Sequence, residues 1–272
     1  MIDIKNQEGL KFLSAVSSKS VNLILTDPPY IISKESGMNK LYKNLKGSKE
    51  PKPKTEKEWE AYRKKNNVED TGEYKRKYMK YGTIYGTKYC VRTDYGDWDS
   101  NFTMKELEEF IKEYYRTLRQ GGTLIIFFDL WKIGEVKSML EKYKFKQIRF
   151  IEWLKTNPQP RNSKLNYLTN SREVALVGIK GKNPTFHSEY DNGVYRYPSQ
   201  GDERCHPTQK SLTLFEELIR KHTNEGDLVM DTFLGSGTTA LASKRTKRMF
   251  IGTEKSKHYY KEIQKRLEKQ KD

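Results

Sequence analysis

The sequence predicts an α/β protein with a doubly wound, mostly parallel sheet. Apolar runs of strand length alternate with amphipathic helical segments along most of the chain, as expected for successive βα units. One of these units has a glycine turn between its strand and its helix, within residues 228–240. A chain of 272 residues is long enough for one large domain of this kind. We therefore expect a single domain over residues 1–272, interrupted by a basic insertion.

The N-terminal part is predicted to begin with two strands and a helix. Apolar runs at 1–5 and 21–26 indicate strands, and the second run is continuous enough to be buried. Between them, Leu10, Leu13 and Val16 recur at helical spacing. These elements precede the insertion and lead directly into the first candidate site.

A longer series of helices and strands is predicted after the insertion. Thr103 and Glu106 have the spacing of a capping box at the start of a helix, and Gly121 and Gly122 are expected to end that helix. Further helices are predicted at 133–143, 212–222 and 259–267. Further strands are predicted at 123–128, 148–154, 173–179, 228–231 and 249–254. The stretches predicted to be irregular polar loops are 157–162 and 182–204.

Two prolines directly after the strand at 21–26 predict a stiff turn at the edge of the sheet. Proline cannot donate a ladder hydrogen bond and fixes its own φ, so Asp27-Pro28-Pro29-Tyr30 ends the strand abruptly. The turn presents a carboxylate and an aromatic ring where open α/β sheets bind their ligands, outside the carboxyl ends of the strands. A turn without a chemical role is the alternative interpretation of this tetrapeptide taken alone.

The charge of the chain indicates a polyanionic partner. Lys and Arg number 52 against 36 Asp and Glu, which gives a formal net charge of +16, and the pI is near 9.5. Nucleic acid is the simplest such partner, and a lysine-rich solvated surface is the alternative. Cys90 and Cys205 are too few for a disulfide framework or a zinc site, so we expect no metal. No apolar stretch is long enough to span a membrane and no signal peptide is evident, which predicts a cytoplasmic protein.

The insertion, residues 33–95, is the first candidate for contact with nucleic acid. It contains eight of the 18 tyrosines, its basic residues outnumber its acidic ones, and Thr55 and Glu58 predict a short capped helix within it. Cations suit phosphates and rings can stack on bases, whereas a disordered insertion is the alternative. The region 156–205 is a second candidate. The basic residues singled out in the two regions are Lys75, Arg76, Lys77, Lys88, Arg92, Arg161 and Arg204.

The glycine turn is predicted to bind a cofactor. Residues 235–240 read Gly-x-Gly-x-x-Ala, which satisfies the dinucleotide fingerprint, and Glu254 follows at a distance that suits a ribose hydroxyl. A P-loop is disfavoured because no lysine follows the second glycine. Asp231 and Phe233 place a carboxylate and a ring beside the turn, which suits an ammonium group and a flat base better than two phosphates. S-adenosylmethionine is a ligand of that kind, and a nicotinamide dinucleotide is the alternative.

Five motifs together resemble those of the DNA amino-methyltransferases of the β arrangement, in which an Asp-Pro-Pro-Tyr motif precedes the cofactor glycine motif. In chain order they are Ser20-Val21-Asn22-Leu23 with Asp27-Pro28-Pro29-Tyr30, Asp97-Trp98-Asp99, Trp153 with Lys155-Thr156-Asn157-Pro158, His206-Pro207-Thr208-Gln209-Lys210, and Phe233-Leu234-Gly235-Ser236-Gly237-Thr238-Thr239. The resemblance covers nearly the whole chain except the insertion. It departs at Ser211, where the family usually has proline, and at Glu8, where it often has aspartate.

The resemblance implies a permuted, Rossmann-like methyltransferase fold. It also implies methyl transfer from S-adenosylmethionine to the N6 amine of a flipped adenine in double-stranded DNA, at a catalytic site formed by Asp27, Pro28, Pro29 and Tyr30. A homodimer is expected, and a cognate restriction endonuclease is a further candidate partner. The residues implied to lie at the cofactor are Asp27, Asp231, Phe233, Gly235, Ser236, Gly237, Thr238, Thr239, Glu254, Lys210 and Glu8. A contact with DNA is the alternative for Lys210.

Other functions remain open on the sequence. Methylation of cytosine at N4 uses nearly the same chemistry, although its turn more often begins with serine, so Asp27 favours adenine. Methylation of RNA or of protein amides is a further alternative, and the enzymes that methylate protein amides usually begin the turn with asparagine. An NAD-dependent dehydrogenase would use the glycine turn but neither the Asp27 turn nor the basic charge. A non-catalytic nucleic-acid-binding module would use the charge alone.

Overall fold

The computed structural model describes residues 1–31, 54–81, 84, 102–158, 171–199 and 209–269. The chain forms two compact units. The larger unit consists of Met1–Ile31 and Gly96–Asp272, and the smaller unit is Ile32–Tyr95. The smaller unit spans nearly the same residues as the predicted insertion.

Among the described residues, the larger unit contains a sheet of eight strands with helices on both faces. The strands are β1 (Ile2–Lys5), β2 (Val21–Thr26), β3 (Leu118–Phe128), β4 (Phe145–Lys155), β5 (Arg172–Lys180), β6 (Val194–Tyr197), β7 (Leu228–Asp231) and β8 (Met249–Thr253). The smaller unit contains the helices α2 (Glu56–Asn66) and α3 (Gly72–Tyr81). The helices of the larger unit are α1 (Gly9–Ala15), α4 (Met104–Thr117), α5 (Ile133–Lys142), α6 (Leu212–His222), α7 (Thr238–Arg245) and α8 (Lys257–Glu268). None of the helices in these residues is both long and apolar enough to cross a membrane.

The strands follow the order β1-β8-β7-β2-β3-β5-β4-β6. All neighbours are parallel except that β5 runs antiparallel to β3 and β4. The predicted mostly parallel, doubly wound sheet is therefore confirmed. The carboxyl ends of β2, β4, β7 and β8 lie at one edge, together with the amino end of β5, and we call this edge the carboxyl edge.

Two apolar layers, one on each face of the sheet, hold the helices. Leu23 and Leu25 of β2 contribute to the layer beneath α6, α7 and α8, whereas Val21 and Ile24 contribute to the layer beneath α1, α4 and α5. All four side chains are fully buried. β2 is thus covered on both faces, as its continuous apolar sequence predicts. This strand gives Asp27, the residue that follows it, a rigid support.

Helix α4 ends at Thr117, before the two glycines predicted to end it, so that prediction is wrong. Gly121 and Gly122 lie within β3, where the pairing with β2 is irregular and Gly121 has a φ of 75°. Lys180 ends the helix in their place. Its Nζ lies 2.7 Å from the carbonyl oxygen of Leu118 and also donates to carbonyls of the last helical turn. A cation satisfies these orphan carbonyls and complements the negative end of the helix dipole.

The stretch 182–204, predicted to be an irregular loop, contains the short strand β6, so that prediction is wrong for residues 194–197. β6 pairs in parallel with β4, and Trp153 lies opposite Tyr195. The Nε1 of Trp153 donates to the carbonyl oxygen of Tyr197 at 2.9 Å. Four residues are too few for an alternating pattern to stand out from a polar loop, which is why the sequence did not reveal the strand.

The described part of the smaller unit consists of α2 and α3 around a buried tryptophan. The capping box of Thr55 and Glu58 is present at the start of α2, as predicted. The Trp59 ring is fully buried and lies 5.4 Å from the ring of Tyr78, and its Nε1 donates to Asp70 at 3.2 Å. These two helices therefore have an apolar cluster of their own, unlike a disordered insertion.

Candidate active site

The tetrapeptide that begins with Asp27 lies directly after β2, at the carboxyl edge. The Asp27 side chain is 19% exposed, and Pro28 is buried. The ring of Tyr30 lies 5.8 Å from that of Phe128 at the end of β3. Because neither Pro28 nor Pro29 has a backbone N–H, the turn leaves the sheet and presents the carboxylate and the ring at its edge.

Lys210 lies against Asp27, although the sequence predicted it as a cofactor residue. Its Nζ is 2.6 Å from Oδ2 of Asp27 and 2.8 Å from Oε2 of Glu173. The Nζ also lies over two rings, 5.4 Å from the centroid of Tyr30 and 5.6 Å from that of Phe127. The structure shows Lys210 as an ion-pair partner of Asp27, and its contact with a cofactor stays a prediction.

The ion pair continues into a row of four charges. Oε1 of Glu173 lies 2.5 Å from Nζ of Lys155, and both of these side chains are 18% exposed. We call Lys155, Glu173, Lys210 and Asp27 the charge chain. Its signs alternate and sum to zero, so each charge lies beside opposite ones, which is the condition under which charges are tolerated away from water.

Burial and ion pairing act in opposite directions on the pKa values in the charge chain. Burial raises the pKa of Asp27, and Lys210 opposes that rise. Burial would lower the pKa of Lys210, but the carboxylates of Asp27 and Glu173 outweigh it and raise that pKa. Burial would raise the pKa of Glu173, but Lys210 and Lys155 together bring it below its usual value. Lys210 is therefore charged at neutral pH, and the ionised form of Asp27 depends on the cation beside it.

Three buried polar atoms at this site make no hydrogen bond of good geometry: Oδ1 of Asp27, Oη of Tyr30 and Oε2 of Glu173. The Tyr30 hydroxyl interacts with the Asp27 carboxyl group, and Oε2 of Glu173 lies 2.8 Å from Nζ of Lys210. Buried polar atoms nearly always have well-formed hydrogen bonds, so three poorly satisfied atoms together favour a ligand site. Burial raises the pKa of Tyr30 well above its usual value, and the negative charge of Asp27 adds to this rise. The Tyr30 hydroxyl therefore stays protonated. The site offers a carboxylate oxygen as acceptor beside an aromatic ring.

Asp231 ends β7 and ties the glycine turn to β2. Its Oδ1 accepts from Oγ1 of Thr26 at 2.7 Å and from the N–H of Phe233 at 3.0 Å, and its Oδ2 accepts from Oγ1 of Thr239 at 2.6 Å. Burial raises the pKa of Asp231 to about 6, although these hydrogen bonds oppose the rise. The carboxylate is 3% exposed, so it holds the turn in shape, and its predicted contact with a ligand stays a prediction.

The glycine turn between β7 and α7 has two residues in the left-handed region. Gly235 and Gly237 have φ values of 50° and 77°, and Gly237 is the N-cap of α7. A Cβ on Gly237 would lie 2.8 Å from Cγ2 of Ile263. Position 237 therefore requires glycine both for its backbone conformation and for space.

Glu254, predicted to hold ribose hydroxyls, follows β8 and contacts the same turn. Its Oε2 accepts from the N–H of Gly235 at 2.8 Å, and its Oε1 accepts from the N–H of Ser256 at 2.7 Å. Burial raises the pKa of Glu254, although these two hydrogen bonds oppose the rise. Each oxygen has a second lone pair, so the carboxylate can still accept from hydroxyl groups.

The remaining predicted cofactor residues divide between this turn and the neighbouring α1. Phe233 packs its ring 4.7 Å from that of a phenylalanine on α4. The hydroxyl oxygens of Ser236 and Thr238 lie 3.0 Å apart on the turn. Glu8 precedes α1, is exposed, and forms an ion pair with Lys255 at 2.5 Å. The structure thus gathers most of the predicted set at the glycine turn and leaves Glu8 on the surface.

The glycine turn fits a cationic ligand with a flat base. Asp231 and Glu254 bring two carboxylates to the ends of the adjacent strands β7 and β8, and Phe233 adds a ring. In contrast, no three His, Cys, Asp or Glu side chains of the described residues are grouped so as to hold a metal ion.

Three of the basic residues predicted to contact DNA lie on α3. Lys75 pairs with Glu56 at 2.9 Å and Lys77 with Glu73 at 2.5 Å, and Arg76 donates to a backbone carbonyl. Lys75 and Lys77 are 36% and 38% exposed, so both ammonium groups remain accessible. The predicted residues that lie outside the described part of the chain are Lys88, Arg92, Asp97-Trp98-Asp99, Arg161, Arg204 and His206-Pro207-Thr208.

The sequence did not identify Glu173 or Lys155 as site residues. Glu173 was only the first residue of a predicted strand, and Lys155 was only part of a motif. Because β5 runs against its neighbours, its first residues lie where β2 and β4 end. An acid at the start of an antiparallel strand is the signal that could have found Glu173, but an apolar run does not reveal its strand direction.

A pair of glycine substitutions tests the requirement at position 237. Gly226 has a similar φ of 82°, but a Cβ there would meet nothing within 4 Å. We expect Gly226→Ala to lower the free energy of unfolding by about 1–2 kcal/mol, the cost of the left-handed conformation. Gly237→Ala should cost roughly 1–3 kcal/mol more, because Ile263 must move. Urea unfolding of both variants measures the difference, and equal losses would contradict the close contact.

The chain was compared with known proteins. The family model described as DNA methylase of the N6/N4 type matches residues 21–265. M2.DpnII of Streptococcus pneumoniae, a type II methyltransferase, is 29% identical over 284 residues, which cover 97% of this chain and 88% of the relative. M2.LlaDCHI of Lactococcus lactis subsp. cremoris is 34% identical over 199 residues, which cover 66% and 74%.

Solved structures show the same fold. The complex of M1.HpyAVI with SAM aligns with a TM-score of 0.63 and 26% identity, over 98% of this chain and all of the other. The cytosine-N4-specific PvuII methyltransferase aligns with a TM-score of 0.66 over 98% of this chain and 86% of its own, but at 15% identity it supports the fold alone. Fold, glycine turn and family match agree, and the chain belongs to the N6/N4 family of DNA methylases.

Proposed function

We propose that this DNA methyltransferase transfers the methyl group of S-adenosylmethionine to the N6 amine of adenine in double-stranded DNA. Family membership confirms the predicted class of enzyme, and S-adenosylmethionine is the methyl donor, as predicted. The observation that carries the assignment to an exocyclic amine is the buried carboxylate of Asp27 beside the ring of Tyr30, with Oδ1 outside the ion pair with Lys210. The aspartate at position 27, where N4-cytosine enzymes more often have serine, favours adenine.

The acceptors at this site suit an exocyclic amine. The lone pair of such an amine is delocalised into the base, so the nitrogen is a poor nucleophile. Oδ1 of Asp27 and the carbonyl oxygen of Pro28 would each accept one N–H, which favours tetrahedral geometry and localises the lone pair. The methyl donor supplies an electrophilic carbon bonded to a sulfonium. The N–C bond then forms as the S–C bond breaks, and the amine loses one proton, for which ionised Asp27 is an acceptor close by.

Positioning supplies most of the rate in such a reaction. An in-line displacement gains chiefly from the alignment of the reacting atoms and from fixed electrostatics. Tyr30 would stack on a base that has left the helix, and flipping that base costs a few kcal/mol. Stacking and phosphate contacts must offset this cost.

The glycine turn is the proposed place of the methyl donor. Gly235, Ser236, Gly237, Thr238 and Thr239 would bring backbone close to it, and Glu254 would accept from its ribose hydroxyls. Asp231 would act through its negative charge and Phe233 through its ring. Lys210 and Glu8 are the two predicted cofactor residues that this arrangement supports least, because one pairs with Asp27 and the other with an exposed lysine.

DNA and protein partners follow from the same proposal. The DNA backbone would meet the basic residues of 33–95 and 156–205, among them Lys75, Arg76 and Lys77. M2.DpnII and M2.LlaDCHI are named type II methyltransferases, which supports a cognate restriction endonuclease as partner. A homodimer in the cytoplasm, where bacterial DNA lies, completes the proposal.

N4-cytosine methylation is the second candidate function, because the family name includes both atoms. The same carboxylate could accept from the N4 amine of cytosine. Digesting the methylated DNA to nucleosides separates the two substrates, since the label then appears on N6-methyladenine or on N4-methylcytosine. Label on cytosine would leave the mechanism in place and overturn the choice of base.

The first prediction concerns Asp27 and uses Asp191 as its matched control. Both are carboxylates paired with a lysine, since Asp191 lies 2.7 Å from Nζ of Lys221, but Asp191 lies in the segment before β6. Asp27→Asn should lower single-turnover methyl transfer by at least ~10²-fold to 10³-fold, the effect of one lost electrostatic contact in the transition state. Asp191→Asn should lower the melting temperature and keep the rate per folded molecule. An Asp27→Asn protein that melts early yet methylates at the normal rate would remove Asp27 from the chemistry.

The second prediction concerns the cations on α3. Replacing Lys75, Arg76 and Lys77 with alanine should flatten the dependence of DNA affinity on salt, by about 0.9 in the log–log slope for each lost phosphate contact. Fluorescence anisotropy of labelled duplex over a range of salt concentrations measures this slope. The control variant replaces Lys137, Lys142 and Lys265, which lie on helices that run away from the carboxyl edge. Equal slopes for the two triple variants would contradict a contact between α3 and the DNA phosphates.

A further inference from the structure

Lys210 has no role in the chemistry described so far, yet its ammonium group is the one that touches Asp27. β2 and β5 lie on opposite sides of β3 in the sheet, so the strands that carry Asp27 and Glu173 are about 10 Å apart. Both carboxylates nevertheless reach the same nitrogen, at 2.6 and 2.8 Å. Lys210 therefore bridges two strands across a third.

The ammonium at the centre of the bridge is largely removed from water. Lys210 is 6% exposed, and the rings of Tyr30 and Phe127 lie under its Nζ at 5.4 and 5.6 Å. An ammonium group has three N–H donors, and the two carboxylates leave at most one of them for another anion. The surroundings of the Lys210 ammonium therefore favour its contact with Asp27 over a contact with a cofactor or with DNA.

Glu173 is itself fixed from its other side. Its Oε1 lies 2.5 Å from Nζ of Lys155 at the end of β4, and Trp153 of the same strand is paired with it in the sheet. Glu173 thus joins β4 and β5 to Lys210, and it holds the ammonium in place beside Asp27. The bridge is anchored in the sheet on both sides of β3.

We propose that Lys210, braced by Glu173, is a positioning residue that holds Oδ2 of Asp27 and so presents Oδ1 to the target amine. The inference rests on the proposed function and deepens it. It assigns different tasks to the two oxygens: one is anchored to the protein, and the other accepts from the substrate. A carboxylate free to rotate would exchange these tasks and lose the alignment with the carbonyl oxygen of Pro28.

The ion pair also sets the charge of Asp27. A protonated carboxyl group is a weaker acceptor and cannot take up a proton from the amine, so methyl transfer needs the ionised form. The charged or titratable groups that act on Asp27 are Lys210, Glu173, Tyr30 and Asp231. Among them Lys210 alone is a cation, and it opposes the rise in pKa that burial causes, whereas Glu173 adds to that rise. Removing Lys210 should therefore raise the pKa of Asp27, and removing the charge of Glu173 should lower it.

The test compares Lys210→Met with Lys221→Met. Lys221 also bridges two carboxylates, Asp191 at 2.7 Å and Glu217 at 2.6 Å, and it lies on α6 outside the charge chain. Single-turnover methyl transfer is measured at saturating S-adenosylmethionine and DNA from pH 5.5 to 9, with cofactor affinity by calorimetry and a thermal melt of each protein. Glu173→Gln and Lys210→Arg complete the set, the first loosening the brace and the second keeping the cation.

We expect the acidic limb of the rate profile to move to higher pH in Lys210→Met alone. Relative to the wild type, the methyl-transfer rate of this variant should fall at least about tenfold further at pH 6 than at pH 8.5. Lys210→Arg should keep the position of the limb, and Glu173→Gln should lower the plateau rate without moving the limb upward. Lys221→Met should melt earlier with an unchanged profile. Cofactor affinity should stay within about twofold in all four variants.

Three results would overturn the inference. A loss of rate in Lys210→Met that is equal at every pH would make Lys210 a structural residue. A loss confined to cofactor affinity would return it to the cofactor site. If Lys210→Met does not fold, a wild-type plateau rate in Glu173→Gln would contradict the brace. A wild-type protein that transfers no methyl group to DNA would instead overturn the proposed function itself.

Discussion

The ammonium of Lys210 lies between Asp27 and Glu173, and the candidate site depends on this bridge. Asp27 is mostly removed from water, where a carboxylate without a partner would become protonated. Truncating one member of a buried ion pair leaves an uncompensated charge and typically costs about 3–5 kcal/mol. The alternating charge chain avoids that cost, and its contact with Asp27 is through Oδ2 alone. The same contacts therefore serve the stability of the sheet edge and the reactivity of the site.

A second set of contacts links the two halves of the reaction. Thr26 is the last residue of β2 and donates to Asp231 at the end of β7, while Asp231 also holds Thr239 at the start of α7. The residue before Asp27 is thus bonded to the carboxylate that shapes the glycine turn. Because β2 and β7 are neighbours in the sheet, the proposed base site and the proposed methyl-donor site lie side by side on rigid strands. Such an arrangement suits a reaction that gains most from positioning.

Much of the fold could be predicted from the sequence, because the central strands are long and apolar and the capping boxes are local. The run that ends at Asp27 and the turn at 235–240 were found for this reason. The end of α4 was missed because Lys180 is distant in sequence, and β6 was missed because four residues carry little pattern. The site was predicted in part. Asp27 and Lys210 were both identified, but their contact and the role of Glu173 depend on the reversed direction of β5, which no local pattern reveals.

The most direct test is a crystal structure with duplex DNA and an S-adenosylmethionine analogue whose sulfonium is replaced, so that no methyl group can transfer. The amine of the flipped adenine should lie about 2.8–3.2 Å from Oδ1 of Asp27 and from the carbonyl oxygen of Pro28. The Nζ of Lys210 should still contact Oδ2 of Asp27 and Glu173. A structure in which Lys210 has left Asp27, or in which the amine is bound by other groups, would contradict the central claim that this ion pair presents the carboxylate to the substrate.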